Sequence, residues 1–371
     1  MLKFIKITIG LLNEAVKRAL TQHKLNWRSP LTVSLSDSML MFQDKVILSR
    51  HSNYKIGGPA EYFYAADKVE KIIRAVEKAG QEKLPIFILG GGTNLLISDN
   101  GFAGLILKPD IKLLKSDGIL VKVGAGILVS DLLDLAASKG LSGLEWAGGL
   151  PGTLGGAVRG NAGAFGGEIK DCIKEIVSLD ISGKKPIIKK RNNKQCRFGY
   201  RDSIFKQLNG KEIILEATLA FAKGDKKAIN SVIEEKIKYR RERQPLDYPN
   251  IGSIFKNIPL ARIYADLKAD IADVNKETIR ISPRNNQHLS AFTAPVKRDP
   301  FPVIPAAHLI HQAGLKGVSF GGAMISPKHP NFIVNALNAK AADVKALIGL
   351  TKASVKSKFG VELEEEIQYV E

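Results

Sequence analysis

Cysteine is almost missing from this chain of 371 residues: only Cys172 and Cys196 occur, without a CxxC spacing. That excludes a disulfide framework and a thiolate zinc site, and it fits a reducing, cytoplasmic location. Histidine is scarce too, six residues with no HxH or HExxH arrangement. His308 and His311 would be neighbours on a helix, but no acidic partner lies near them in sequence, so no metal is expected. No run of about 18 apolar residues exists, so neither a transmembrane helix nor membrane insertion is expected. The first residues, MLKFIKITIGLLNEAVKRAL, start basic, but lysine breaks their apolar run and no small-residue cleavage site follows. They read as an amphipathic helix or an extension rather than a signal peptide.

Acidic residues are the minority charge, 37 Asp and Glu against 55 Lys and Arg, for a net charge of +18. The basic residues are spread along the chain and form no stripe interleaved with aromatics, so no nucleic-acid partner is expected. Their densest cluster, KKPIIKKRNNK (Lys184–Lys194), reads as a solvated hairpin edge. A basic surface suits acidic small molecules such as nucleotides and carboxylates equally well. A composition 44% hydrophobic and 25% charged is that of a soluble globular protein long enough for two or three domains.

Glycine, by contrast, is concentrated. Gly140–Asp171 (GLSGLEWAGGLPGTLGGAVRGNAGAFGGEIKD) has glycine at eleven of thirty-two positions, among Leu, Trp, Val, Phe and Ile. A flexible linker would be polar and low in complexity. Glycine among buried-type residues signals sharp turns and close approach of backbone to a large ligand, with free N–H groups able to cradle phosphate. A second cluster, ILGGGTNLLISDNGFAGLILK (Ile88–Lys108), lies upstream. Together they point to a nucleotide cofactor with an extended pyrophosphate.

From Phe42 short strands and helices alternate in an α+β pattern without a regular βαβ repeat. Asp67 is placed to cap a helix with Val69, Ile72, Ile73 and Val76 on one face. Pro85–Leu89 is a strand feeding the Gly90-Gly91-Gly92 turn; Leu105–Lys108, Leu120–Val123, Ile176–Ile181, Pro186–Lys189 and Glu212–Ala222 are further strands. Ser130–Lys139 is a helix closed by Gly140. The charged helix Lys226–Arg243 must stop at Gln244-Pro245, and its apolar stripe is Ile229, Val232, Ile233 and Ile237. A helix at Ala306–Ala313, a strand at Asn331–Asn335, a helix at Asp343–Phe359 stopped by Gly360 and a strand at Val361–Val370 complete the reading.

Three cofactor classes were compatible with the glycine clusters. A P-loop needs GxxxxGK[ST], which does not occur. A Rossmann fingerprint is only loosely approached by Gly148–Gly156, with no acidic residue placed for a ribose. The third is a flavin fold in which glycine loops hold the FAD pyrophosphate between two subdomains.

Nine blocks in order then carry a family resemblance: NYKIGGPAEYF (Asn53–Phe63), ILGGGTNLLIS (Ile88–Ser98), GLEWAGGLPGTLGGAVRGNAGAFGGEI (Gly143–Ile169), FGYRDSIFK (Phe198–Lys206), RRERQP (Arg240–Pro245), GSIFKN (Gly252–Asn257), AAHLIHQAGLKG (Ala306–Gly317), GGAMISPKHPNFIVN (Gly321–Asn335) and FGVELEEEI (Phe359–Ile367). Over residues 42–371 the chain resembles the UDP-N-acetylenolpyruvoylglucosamine reductases, flavoenzymes of peptidoglycan precursor synthesis. It is closer to their shorter subtype, since the Tyr-bearing loop of the larger one is not recognisable. The resemblance implies an α+β protein with a two-subdomain FAD-binding fold of the vanillyl-alcohol-oxidase (PCMH) type over 42–223, divided near 112. A C-terminal α+β substrate-binding domain over 224–358 and a strand, 359–371, returning to the active site would follow. Residues 1–41 lie outside the resemblance, and Met39 and Met41 leave a later start open.

The implied activity is NADPH-dependent reduction of UDP-N-acetyl-3-O-(1-carboxyvinyl)-glucosamine to UDP-N-acetylmuramate. Hydride passes from NADPH to FAD and from flavin N5 to C3 of the enolpyruvyl group, followed by protonation at C2. By motif, Ser253 is the implied proton donor, Arg201 the cation at the enolate carboxylate, and Glu366 the catalytic glutamate; alternation would put Glu364 on the same face as Glu366. Without the resemblance, Ser253 would be read as a turn or cap residue and Arg201 as an ion-pair partner of Asp202. FAD would be held by Asn53, Lys55, Ile56, Gly90, Gly91, Gly92, Thr93, Asn94, Leu150, Pro151, Gly152, Thr153, Gly155, Gly156, Asn161, Gly163 and Ala164. Tyr200, Lys256, Asn257, Lys328 and His329 would meet the UDP-sugar. A monomer is expected. Another FAD-dependent oxidase or dehydrogenase of the same fold is the alternative.

One departure stands out. Family members pass from the GSxFKN asparagine through proline quickly to the AGxLI helix, whereas here residues 259–302 intervene. This insertion reads as an added surface element, with a lid over the substrate as the other possibility.

Overall fold

Phe102–Pro109 carries four consecutive buried residues, the pattern of a parallel strand covered on both faces. The computed structural model describes residues 40–267, 270–272, 277–283 and 290–371; the expected extension lies, except for its last two residues, outside them. In the first sheet β1 (Gln43–Ile47), β2 (Pro59–Ala66), β3 (Ile86–Ile88) and, after β4 (Leu95–Ile97), β5 (Phe102–Pro109) take the order β1-β2-β5-β3. Strands β2 and β3 both pair with β5 in parallel, and β1 closes the edge antiparallel. The helix α1 (Val69–Gln81) makes the crossover between β2 and β3 and buries Ile72, Ala75, Val76 and Ala79. Asp67 does not cap it: Lys68 holds the cap position, and Asp67 pairs with Lys71 one turn on.

The second sheet is antiparallel, with β6 (Leu114–Asp117), β7 (Leu120–Gly124), β8 (Ile173–Asp180), β9 (Ile187–Asn192) and β10 (Glu212–Ala220) in the order β9-β8-β10-β7-β6. The lysine-rich β9 is its edge, where charge discourages pairing with another chain. Here Lys189 meets Asp180 and Arg191 meets the buried Glu212. The helices α2 (Val129–Lys139), α3 (Leu154–Gly160) and α4 (Lys226–Arg243) pack into one core with this sheet. Gly140 closes α2 at φ +64°, a left-handed cap glycine adopts without strain. On α4, Ile229 and Ile233 are buried, but Val232 is 38% exposed, so the buried stripe is narrower than the sequence suggests.

The remaining core gathers the C-terminal elements. Helix α5 (Leu260–Leu267) and the strands β11 (Ile258–Pro259), β12 (Asp270–Ala272), β13 (Thr278–Ser282), β14 (Phe292–Pro295), β15 (Lys297–Arg298) and β16 (Pro302–Ile304) precede α6 (Ala306–Gln312). The chain then runs through β17 (Ser319–Phe320), β18 (Ala323–Ile325), β19 (Ile333–Asn335), α7 (Ala341–Phe359) and β20 (Gln368–Val370). Strand β20 pairs in parallel with β4, far back in the chain. Only this part of Val361–Val370 is regular strand; Phe255 and Glu365 form an isolated bridge before it.

The insertion 259–302 is not a surface addition. Leu260, Ile263, Leu267, Ile279, Ile281 and Ala294 are buried in the same cluster as Leu309, Ile310 and Phe359. The physical reason is alternation: on Thr278–Ser282 both isoleucines face one side, and that face must be covered. Among the described residues no helix is long and apolar enough to cross a membrane.

Candidate active site

Glu366 is where distant parts of the chain converge. Its N–H donates to the carbonyl of Ile254 at 2.8 Å, its carbonyl accepts from the Asn94 amide at 3.1 Å, and its carboxylate meets Arg201 Nε at 2.7 Å. Three of the motif blocks are thereby tied to one residue, itself fixed by the β4–β20 pairing. The partners alternate along this segment. Glu364 meets Lys256 and Arg262, whereas Glu365 turns toward Lys352 of α7 and the Tyr369 hydroxyl.

Ser253 sits one residue before Ile254 and is half-buried. Gly252 before it has φ +84°, and the segment after it is clamped from both sides. Asn331, 2% exposed, accepts from the N–H groups of Ile254 and Phe255 and donates its amide to the Phe255 carbonyl. Among the described residues the Ser253 hydroxyl has no hydrogen-bond partner. Arg201, at φ +54°, donates through Nη2 to the Gly163 carbonyl at 2.8 Å. Burial alone would weaken the Arg201 cation, but Glu366, Tyr200 and Asp299 outweigh it and raise its pKa. Burial pushes the Tyr200 phenol up to about 12, so it stays neutral; its oxygen accepts from the Asn257 N–H at 3.2 Å. The Asn257 side chain in turn accepts from the N–H of Ala306. Tyr200, Lys256 and Asn257 line a cavity of about 170 Å³ with Ile258, Pro259, Arg262 and Glu364.

The two glycine clusters lie against each other. A Cβ on Gly91 would be 2.8 Å from Gly152 Cα, and one on Gly152 2.9 Å from the Thr93 hydroxyl. The Leu150–Gly156 loop is fixed from behind: Gly152 accepts from Val129, Leu154 donates to Ile127 and Gly155 to Ala125. Leu150 packs partly buried beside the second core, while Pro151 and Gly156 remain exposed. Gly90 faces Thr153, whose hydroxyl is buried without a partner. Asn53 donates its N–H to Gly92, Lys55 is exposed at φ +56°, and Ile56 is buried. Gly163 and Ala164 form the first arm of a small hairpin with Gly167 and Glu168. Asn161 is 0% exposed, and its amide donates to Glu168 and to the Gly199 carbonyl, so its side chain braces the loop from inside.

Lys328 and His329 lie on the turn before β19, and Lys328 Nζ donates to the carbonyl of Arg241. His329 packs edge-on against Phe332, and burial, with Lys297 and Lys316 nearby, lowers its pKa from the ordinary 6.5 to about 4. Its neutral form is the one the folded state favours, so the unfolded chain binds more protons as pH falls from 6.5 toward 4, and stability is lost in that window. His329→Asn should therefore show a smaller fall in Tm than the parent across that window, measured by thermal melts at matched ionic strength.

Several cations were not singled out from the sequence although they lie inside the matching blocks. Lys206 donates to the carbonyl of Arg201, and its pKa is lowered by burial and by Lys256. Arg240, 8% exposed, donates Nε to the Gly148 carbonyl and leaves Nη2 buried without a partner among the described residues. Burial and the nearby Arg201 lower its pKa. Arg159 is likewise lowered by burial. Buried cations kept at this density suit an anionic ligand.

A model of an FAD binding domain matches residues 60–184, and one of the UDP-N-acetylenolpyruvoylglucosamine reductase C-terminal domain matches residues 244–370. The UDP-N-acetylenolpyruvoylglucosamine reductase of Lachnoclostridium phytofermentans is 36% identical over 329 residues, 87% of this chain and 91% of that protein. The reductase of Caldanaerobacter subterraneus subsp. tengcongensis is also 36% identical, over 87% of this chain and 91% of its own length. Among solved structures, UDP-N-acetylenolpyruvylglucosamine reductase from Thermus caldophilus superimposes with a TM-score of 0.66 at 27% identity, covering 89% of this chain and all of that one. With relatives this similar along most of its length, the chain belongs to the UDP-N-acetylenolpyruvoylglucosamine reductase family.

Proposed function

We propose that the protein reduces UDP-N-acetyl-3-O-(1-carboxyvinyl)-glucosamine to UDP-N-acetylmuramate with NADPH, using FAD, in peptidoglycan precursor synthesis. The observation that carries this reading is the convergence of Arg201, Glu366 and the Ser253 segment beside the paired glycine loops. The division of labour follows: residues 42–223 hold the cofactor in two parts divided near 112, residues 224–358 hold the sugar nucleotide, and 359–371 bring Glu366 back between them.

The loops fit FAD. Gly90–Asn94 and Leu150–Gly156 approach each other with no room for a Cβ at Gly91, and the buried Thr153 hydroxyl has no partner among the described residues. FAD held by these loops would supply two-electron transfer between NADPH and C3 of the enolpyruvyl group. Ser253 delivers the proton to C2, which completes the lactyl ether. The Arg201 guanidinium faces the carboxylate on which negative charge grows, a contact that strengthens on the way to the transition state. Glu366 holds that guanidinium in place, and Lys256, Asn257 and Tyr200 form the wall against which the sugar nucleotide lies, with Lys328 and His329 reaching its outer part.

Anaerobic stopped-flow tests the reading. Flavin reduced by NADPH should be reoxidised rapidly by the enolpyruvyl UDP-sugar; a reduced flavin indifferent to that sugar would overturn the substrate. Gly91→Ala should separate the glycine loops and weaken FAD retention by at least tenfold, about 1.4 kcal/mol. The visible flavin absorbance per mole of purified protein measures it, and a full complement of flavin would refute the placement.

A further inference from the structure

The insertion 259–302 begins and ends at the site. Its first and last strands, β11 and β16, pair antiparallel, Ile258 opposite Ile304 and Pro259 opposite Val303. The outgoing end supplies Ile258, Pro259 and Arg262 to the cavity that Tyr200, Lys256 and Asn257 line, and Arg262 grips Glu364 at 2.6 Å. The returning end turns at Asp299, whose N–H donates to the Phe301 carbonyl. From this turn two side chains reach across to the other half of the molecule. Asp299 Oδ1 accepts from the N–H of Gly166 at 3.1 Å, in the turn of the Gly163–Glu168 hairpin. The Phe301 ring meets the Tyr200 ring edge-on, with centroids 5.1 Å apart. That hairpin is the one whose Gly163 carbonyl holds Arg201. The segment cannot swing freely, because Val303, Ile304 and Ala294 on its flanks are buried.

We propose that the Asp299–Phe301 turn is a fixed wall of the substrate site, in which Phe301 sets the Tyr200 ring and Asp299 sets the hairpin behind Arg201 for binding of the sugar nucleotide. Both are positioning residues, and the proposal rests on the functional reading above. It places their effect on the sugar half of the reaction: Tyr200 and Arg201 face the enolpyruvyl UDP-sugar, whereas among the described residues neither Asp299 nor Phe301 bonds to Gly90–Asn94 or Leu150–Gly156, and Asp299 meets the second glycine cluster only at Gly166. The insertion is thus a part of the site peculiar to chains that carry it, and specificity for the sugar nucleotide depends on it.

The test uses the full-length holoprotein and its Phe301→Ala, Phe301→Tyr and Asp299→Ala variants. Titration calorimetry of the oxidised protein with the enolpyruvyl UDP-sugar should show about tenfold weaker binding for Phe301→Ala, the loss of one aromatic edge contact with its buried area, and near-parental binding for Phe301→Tyr. Flavin content and the rate of flavin reduction by NADPH should match the parent in all three, and amide exchange at Phe165–Gly166 should quicken in Asp299→Ala. Parental affinity in Phe301→Ala, or an affinity loss that merely follows flavin loss, overturns the proposal. Should Phe301→Ala fail to fold, Phe301→Leu, which keeps the volume without the ring, decides in the same way. A parent protein that carries flavin but binds no UDP-sugar overturns the functional reading itself and the wall with it.

Discussion

Ser253→Ala should leave flavin reduction by NADPH untouched and slow reoxidation by the enolpyruvyl UDP-sugar on the order of 10²–10⁴-fold, the usual contribution of a positioned proton donor. The expectation rests on how the hydroxyl is held. A serine is a weak acid, so it can serve only if its direction is set before the substrate arrives. Asn331 and the Glu366 N–H fix the backbone that follows it at Ile254 and Phe255, and within the described residues nothing competes for its proton. Because the hydroxyl makes no hydrogen bond among the described residues, its removal strands no buried partner there and should cost less than about 1 kcal/mol in stability. The measurement is single-turnover stopped-flow, both half-reactions on the same sample, with Tm alongside. Equal slowing of both would mean that Ser253 shapes the flavin site rather than donating a proton, and an unchanged second half would remove it from the mechanism.

That hydroxyl illustrates what a sequence can carry. Local signals were legible: the helix Lys226–Arg243 follows from its composition and from Gln244-Pro245, and Gly140 and Gly360 end α2 and α7 in left-handed conformations because only glycine does so without strain. Local signals also misled where two neighbours compete for one role. Asp67 is a good cap residue, but with Lys71 one turn away its carboxylate forms an ion pair, and Lys68 begins the helix. The insertion was misread because each of its strands is short and, judged alone, could lie on a surface. Only when Ile279, Ile281 and Ala294 share a core with Phe359 does it become part of the domain.

The site divides along the same line. The residue types at Arg201, Ser253 and Glu366 stood out because whole motif blocks surround them. Their meeting could not be read from order along the chain, since it depends on β20 pairing with β4 across more than half the sequence. Arg240 and Lys206 were passed over because a basic residue in a basic chain carries little information. Their burial, and for Arg240 an unpartnered Nη2, distinguishes them from the many exposed lysines. Asn161 was placed near FAD by the motif resemblance alone; that it caps α3 at φ +43° and turns its amide inward to Glu168 and Gly199 depends on residues outside its own block as well as within it.

The Arg201–Glu366 pair should behave as one unit in catalysis. Arg201→Met and Glu366→Gln are each expected to slow reoxidation by the sugar roughly 10²–10³-fold, the cost of removing one preorganised electrostatic contact. The double variant should be little worse than the poorer single. The geometry gives the reason. The guanidinium is held by Glu366 through Nε and by Gly163 through Nη2, and the two side chains are only 17% and 21% exposed. Removing the carboxylate leaves a largely desolvated cation free to turn from the substrate, so Arg201 loses its use even while present; removing the arginine leaves Glu366 with nothing to orient. Independent roles, such as a separate proton relay through Glu366, would instead make the losses multiply toward 10⁴–10⁶. Comparing the four proteins in single-turnover reoxidation separates these outcomes. Flavin content should stay level across the set, because among the described residues neither side chain bonds to Gly90–Asn94 or Leu150–Gly156: Arg201 meets the second glycine cluster only at the Gly163 carbonyl, and the Asn94 amide binds the Glu366 carbonyl and not its side chain. If the effects multiply, Glu366 acts on the substrate directly, and the role of holding Arg201 falls to Gly163 alone.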